Sequence, residues 1–217
     1  MKVIDLTQTL EDGMAVYPGA PLPKFERLGS VKGGDPYQLI KFEMTTHVGT
    51  HLDCQTHVSP RGYNADSQDL SFFMGKGIVI DCSKYGEGAV MGMEIFDGVD
   101  ISDKEFIFLF CDWAKRWYDP SFWGNYPIVS KEVIEFLANS KQVKGLGVEY
   151  AAIDPLTDPG LTLHKLFLAK EKTIIENLTN LDQLIGQDFQ FIGLPLKFKD
   201  GDGSPIRAAA ILVKSEI

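Results

Sequence analysis

Three of the four histidines in this 217-residue chain fall within eleven residues, in the run Thr46-His47-Val48-Gly49-Thr50-His51-Leu52-Asp53-Cys54-Gln55-Thr56-His57. Thr45, Thr46, Val48 and Thr50 favour extended backbone, and Gly49 disfavours helix. On a strand, alternate residues share a face. His47, Gly49, His51, Asp53, Gln55 and His57 would then project together, while Thr46, Val48, Thr50, Leu52, Cys54 and Thr56 face a core. A straight strand keeps these groups apart. At about 3.3 Å per residue, the His47 and His51 Cα atoms would stand roughly 13 Å apart, an awkward span for two imidazoles sharing one ion at ~2.1 Å. A bend at Gly49 is therefore expected, where a residue without Cβ tolerates unusual dihedrals. The alternative helical spacing, His-Glu-x-x-His, fails because Val48 replaces the Glu and Gly49 sits inside the motif.

Imidazole is the commonest metal-binding side chain and titrates near neutral pH without help. A lone histidine is usually a surface or hydrogen-bonded core residue, but three at this spacing with Asp53 in register point to a metal site with an acid–base group beside it. The fourth, His164, lies twelve residues before Glu176. Glu176 interrupts the buried-looking run Ile174-Ile175-Glu176-Asn177-Leu178, and a buried carboxylate needs a partner or a metal.

The net charge of −9 argues against a general nucleic-acid or anionic-membrane surface. Hydrophobic residues at 44% and charged residues at 24% are ordinary for a globular protein, and one domain spanning residues 1–217 is expected. Cys54, Cys82 and Cys111 are odd in number, with no Cys-x-x-Cys, so a reducing compartment fits better than a disulfide framework. The opening Met1-Lys2-Val3-Ile4-Asp5-Leu6-Thr7 lacks the apolar segment and cleavage site of a signal peptide. No stretch of ~18 apolar residues is present. Cytoplasmic placement is expected.

Val, Ile, Phe and Thr predict strands over Val3 to Leu6, Gln38 to His47, Gly77 to Asp81 and Phe106 to Cys111. Towards the end come Phe189 to Leu194, then Leu196 to Lys199 and Ile206 to Val213, the last two read as a hairpin around Asp200-Gly201-Asp202-Gly203. Gly201-Asp202-Gly203-Ser204-Pro205 thus reads as a tight turn, without the pattern of a phosphate loop. Ser130 can cap a helix carrying Val133, Ile134 and Leu137, and Thr162 can cap one carrying Leu163, Leu166 and Phe167. The class is α+β, with more strand than helix. Of Trp113, Trp117 and Trp123, at least two are expected in the core, as is Cys54; a tryptophan lining a pocket would suit an aromatic substrate. No Gly-x-Ser-x-Gly elbow offers a serine nucleophile.

His47-Val48-Gly49-Thr50-His51-Leu52-Asp53-Cys54-Gln55-Thr56-His57 resembles the His-x-Gly-Thr-His-x-Asp-x-Pro-x-His signature of the cyclase family, which includes bacterial kynurenine formamidases and isatin hydrolases. The resemblance runs over almost the whole chain, through Ile4-Asp5-Leu6-Thr7, Val16-Tyr17-Pro18-Gly19, Gly147-Val148-Glu149, Asp154-Pro155, Glu176-Asn177-Leu178, Leu194-Pro195-Leu196-Lys197 and Gly203-Ser204-Pro205-Ile206-Arg207-Ala208. It implies a single compact domain of the swivelling β/β/α type, commonly a homodimer or tetramer. It also implies metal ligation by His47, His51 and Asp53, with Asp53 able to bridge to a second ion held by His164 and Glu176, and His57 as proton donor and acceptor. Tyr17 falls where formamidases carry a substrate-contacting Trp. Gln55 stands in place of the signature Pro, Glu149 and Ala152 in place of Asp and Ser, and Cys111-Asp112-Trp113 in place of Thr-Gly-Trp.

The implied activity is metal-dependent hydrolysis of a small, aromatic amide or cyclic amide, as in an arylformamidase. One or two ions, Zn²⁺ or Mn²⁺, suit mixed His and carboxylate ligands. Lactone hydrolysis or a dehydrative cyclisation on the same site is the alternative, and a metal-containing binding protein without turnover a further one. A purely structural zinc site fits less well, because such sites are usually rich in Cys.

Overall fold

A computed structural model describes residues 1–212. In chain order the strands are β1 (Lys2–Asp5), β2 (Lys24–Gly29), β3 (Leu39–Glu43), β4 (His51–Asp53), β5 (Met74–Asp81), β6 (Val90–Met91), β7 (Phe106–Phe110), β8 (Ile128–Val129), β9 (Gly145–Val148), β10 (Thr173–Glu176), β11 (Phe189–Ile192), β12 (Gly203–Pro205) and β13 (Ala209–Leu212). The α-helices among the described residues are α1 (Lys131–Asn139) and α2 (Thr162–Leu168), and short 3₁₀ turns occur elsewhere along the chain. This is the expected α+β class, with a mixed sheet and few helices.

Nine strands form one sheet in the order β1-β13-β11-β5-β7-β9-β10-β4-β12. Its middle, β5-β7-β9-β10, is parallel, and the strands on either side are antiparallel. The central β7, Phe-Ile-Phe-Leu-Phe, explains the two-sided burial. Phe106 and Phe108 point into one core, while Ile107 and Leu109 point into the other. Gly147 makes room for the first of these cores, since a Cβ there would lie 2.3 Å from Phe108 Cδ1.

Beyond β1 the chain turns back to Leu178 through an isolated bridge at Thr7, with Leu6 N–H donating to Ala208 O at 2.9 Å and Thr179 N–H donating to Leu6 O at 3.1 Å. The sheet thus curls around the phenylalanine-rich core. The helices cover its other face. Ser130 Oγ accepts from Val133 N–H at 3.3 Å, and α1 buries Val133, Ile134, Leu137 and Ala138 against it. Trp113 and Trp117 belong to this core, Cys54 to the other. All three cysteines are free and buried. Among the described residues no helix is long and apolar enough to cross a membrane.

Several expectations change. Leu196 to Lys199 forms no strand, and the last strand starts at Ala209; Val213, its expected end, lies outside the described residues. In place of a hairpin, β12 pairs with β4, and a single bridge joins Pro195 to Ile206. Pro195 and Pro205 carry no N–H to extend a ladder, and Leu196 N–H is taken by Ser204 Oγ at 3.0 Å. The strand expected over Gln38 to His47 shrinks to β3, which among the described residues pairs with β2 alone in a ribbon outside the main sheet. Thr162 is the first residue of α2 and makes no side-chain cap. Asp154 and Asp158 accept from that first turn instead: Asp154 from Leu163 N–H (2.7 Å) and His164 N–H (2.9 Å), Asp158 from Thr162 N–H (3.2 Å).

Candidate metal and acid–base centre

The expected bend is present. Gly49 has φ 61°, and a Cβ there would lie 2.5 Å from Leu10 Cδ2. Asn177 pins the bend by donating from Nδ2 to Gly49 O at 2.9 Å, while Thr50 Oγ1 donates to Asn177 O at 2.7 Å. The His47 and His51 rings are thereby brought to 5.2 Å, centroid to centroid. The continuous extended face over positions 47–57 does not form. Only His51–Asp53 is strand, and Gln55–His57 is a 3₁₀ turn. That turn takes Gln55 away from the cluster, where its Oε1 accepts from Tyr63 N–H at 3.3 Å.

Strand pairing does the rest. In the register of β4 against β10, His51 stands opposite Glu176, and their Nε2 and Oε2 atoms lie 3.4 Å apart. His164, from the first turns of α2, points Nε2 at the same place, 3.2 Å from Glu176 Oε1 and 3.3 Å from Asp53 Oδ2. His51 Nε2 is 3.4 Å from Asp53 Oδ1, and His47 Nδ1 is 2.7 Å from that same oxygen. The structure therefore gathers His47, His51, Asp53, His164 and Glu176 into two overlapping triplets that share Asp53, each able to hold a metal ion.

The far nitrogens are also fixed. His51 Nδ1 meets Gly49 O at 2.9 Å, and His164 Nδ1 meets Asp154 Oδ2 at 2.6 Å. Such outer contacts set which ring nitrogen stays free for a cation. Asp53 Oδ2 is buried without a hydrogen-bond partner among the described residues. An unpartnered carboxylate oxygen is costly, and a divalent cation held by Asp53, His164 and Glu176 would supply what it lacks. The residues fit a metal.

Burial opposes charge on His47, yet the Asp53 charge and hydrogen bonds to Asp202 and Asp53 raise its pKa to about 9. For His51 burial is likewise outweighed, by Asp53 and Glu176, and the pKa rises to about 10. His164 is also raised, its burial overcome by Asp154, Asp53 and Glu176. Burial pushes Asp53 and Glu176 upward, but the surrounding imidazoles hold both below the ordinary carboxylate range. His57 differs. Burial lowers it, the Asp53 charge opposes that, and neighbouring His47 and His164 lower it further.

His57 sits beside the cluster, its ring 3.9 Å from that of His47 and 6.0 Å from that of His164. Both border a cavity of about 430 Å³ whose far wall is apolar, with Val16, Ala20, Trp123, Ala152 and Leu161. Tyr17, partly exposed at the mouth, meets Trp123 edge to face at 6.0 Å. Ala152 is part of this wall, and Glu149 lies elsewhere. Glu149 is buried beneath the 111–113 segment, accepting from Cys111 and Trp113 N–H, and burial lifts its pKa to about 7 despite those bonds.

Two residues at the centre escaped the sequence reading. Asp154 was legible only as part of Asp154-Pro155. Asp202, read as a turn residue, lies 3.0 Å from His47 Nε2 and 3.7 Å from His57 Nδ1 through Oδ2. The signal for it was a carboxylate between two glycines, a spacing that permits close approach.

Known proteins share this arrangement of sequence and fold. The family model described as "Putative cyclase" matches residues 4–155. The chain is 29% identical over 207 residues to a kynurenine formamidase of Erythrobacter litoralis (strain HTCC2594), covering 95% of this chain and 92% of that protein. It is 29% identical over 209 residues to a kynurenine formamidase of Bacillus anthracis, covering 95% and 96%. Among solved structures, isatin hydrolase A from Labrenzia aggregata bound to benzyl benzoate superposes with a TM-score of 0.87 at 27% identity, covering 99% of this chain and 94% of that one. An isatin hydrolase bound to the product analogue thioisatinate gives 0.86 at 25% identity, covering 98% and 92%. With the His47–His57 signature folded around a shared carboxylate and the match extending from strand β1 past β9, the chain belongs to the cyclase family.

Proposed function

We propose that this protein is a metal-dependent hydrolase that cleaves the C–N bond of a small aromatic amide or cyclic amide. His47, His51 and Asp53 hold one divalent ion, and Asp53, His164 and Glu176 hold a second when two are bound. The observation that carries this reading is the buried Asp53 carboxylate shared by the two ligand triplets, Oδ1 facing His47 and His51 and Oδ2, without a hydrogen-bond partner among the described residues, facing His164. The formamidase and isatin hydrolase relatives support the reaction class. Mixed imidazole and carboxylate donors suit Zn²⁺ or Mn²⁺.

A divalent ion held there would supply Lewis acidity toward a carbonyl and a bound water of pKa ~7. The chain supplies the rest. Asp53 and Glu176 stay ionised and balance the positive charge. His57, with its depressed pKa, is neutral near pH 7 and free to take a proton, then deliver it to the departing nitrogen. Amine leaving groups need that proton. Tyr17, Trp123 and the apolar wall receive a flat ring and exclude water around it. Exposed Leu39, Ile40 and Phe42 on the β2–β3 ribbon support a homo-oligomer, and three free cysteines support a cytoplasmic setting.

The test is turnover of N-formylkynurenine, isatin and a simple lactone by protein loaded with Zn²⁺ or Mn²⁺. Hydrolysis of an aromatic amide is expected. Consumption of the lactone alone contradicts the amide assignment, and no consumption of any contradicts the enzymatic one.

A further inference from the structure

We infer that Asp202 is a positioning residue for two imidazoles at once, holding His47 for the cation and His57 for proton transfer. The inference rests on the proposed metal-dependent reading. Its ground is a pattern among the three clustered imidazoles. Each of them turns one nitrogen toward the Asp53–Glu176 pair, and each carries an oxygen acceptor on its other nitrogen. For His51 that acceptor is Gly49 O at 2.9 Å, and for His164 it is Asp154 Oδ2 at 2.6 Å. For His47 it is Asp202 Oδ2, 3.0 Å from Nε2, while Nδ1 faces Asp53 Oδ1 at 2.7 Å. A proton kept on Nε2 and donated to Asp202 leaves the Nδ1 lone pair for the ion. That is the logic by which outer carboxylates fix a metal-bound histidine.

The carboxylate is held against His47 by the backbone around it. Asp202 O accepts from Cys54 N–H at 2.9 Å, and Gly201 O accepts from Ala65 N–H at 2.8 Å. At Gly203 a Cβ would lie 2.6 Å from His47 Cε1 and 2.7 Å from Leu52 O, so only glycine lets β12 lie this close to the ring. The same Oδ2 lies 3.7 Å from His57 Nδ1, and the His47 and His57 rings are 3.9 Å apart. At that distance the contact is an ion pair when His57 is protonated, which a rotation of either side chain would have to close into a hydrogen bond. One carboxylate thus ties a metal ligand to the proton carrier beside the cavity.

The experiment compares the wild-type chain with Asp202→Asn and, as a control on the same turn, Asp200→Asn, whose carboxylate is exposed and pairs with Lys199 at 3.9 Å. Zn²⁺ affinity is measured by competition with a chromophoric chelator, kcat and KM at saturating Zn²⁺, and the thermal midpoint of each variant. Asp202→Asn should bind Zn²⁺ about 10- to 100-fold more weakly. At saturating Zn²⁺ its kcat should still fall at least about tenfold with KM little changed, and its midpoint and the Asp200→Asn control should match wild type. Zn²⁺ affinity within twofold of wild type overturns the His47 role, and full kcat at saturating Zn²⁺ overturns the His57 role. A midpoint that falls with both losses overturns the positioning role in favour of a structural one. Wild-type protein that binds no Zn²⁺ contradicts the underlying reading instead, so the two failures are distinguishable.

Discussion

His51 and Glu176 occupy opposed positions on antiparallel strands β4 and β10, with Nε2 and Oε2 3.4 Å apart and both side chains almost fully buried. Their meeting is fixed by sheet register, so a change of charge at Glu176 should leave the fold in place. Glu176→Gln keeps the shape and removes one anionic ligand. It should cost one metal ion per chain, or at least about tenfold in affinity, with the circular dichroism spectrum unchanged. Full metal occupancy in this variant would remove Glu176 from the ligand set.

His57 lies beside the two triplets that share Asp53 and belongs to neither, grouping instead with His47 and Asp202. His57→Ala should therefore retain its metal and lose about 10²- to 10⁴-fold in kcat, the range of a positioned acid–base group. Metal analysis and steady-state rates on the same preparation check this. Wild-type turnover would exclude His57 from the proton path.

Protonation should tune the stability of chelator-stripped protein. His47 and His51 titrate near 9 and 10 in the folded chain, against about 6.5 unfolded. Raised values mean the folded state binds protons more tightly, so this stabilisation is complete below about pH 6.5 and is lost as pH climbs through 9 to 10. His47 alone contributes on the order of 3 kcal/mol. Thermal midpoints of the stripped protein should fall between pH 6 and pH 10, and a flat profile would contradict the ion-paired cluster.

Gly49 is the hinge of the signature. With φ at 61° and Leu10 Cδ2 2.5 Å from where a Cβ would sit, Gly49→Ala should destabilise by roughly 1–3 kcal/mol and separate His47 from His51. Denaturant unfolding with metal analysis reads both effects. Unchanged stability would show that the bend needs no glycine.

The local chemistry of the centre was legible because it is local. The Gly49 bend followed from reach alone, since two imidazoles four residues apart meet only if the chain turns between them. Ser130 announced α1 in the same way. The convergence of His164 and Glu176 on Asp53 depends on the register of β4 against β10 and on the packing of α2, which no window of sequence carries. Asp202 was hidden for a related reason. A Gly-Asp-Gly run reads as a turn, whereas here β12 joins the edge of the sheet beside β4 and presents the carboxylate to His47. The expected Leu196 to Lys199 strand failed because a side chain and two prolines withdrew the hydrogen bonds it needed.

The most direct measurement is elemental analysis of wild-type protein and His51→Ala, both purified after growth with Zn²⁺ and Mn²⁺ supplied. One or two ions per wild-type chain are predicted, with the variant largely stripped. Wild-type protein free of metal, or a variant that keeps its full complement, would contradict the account.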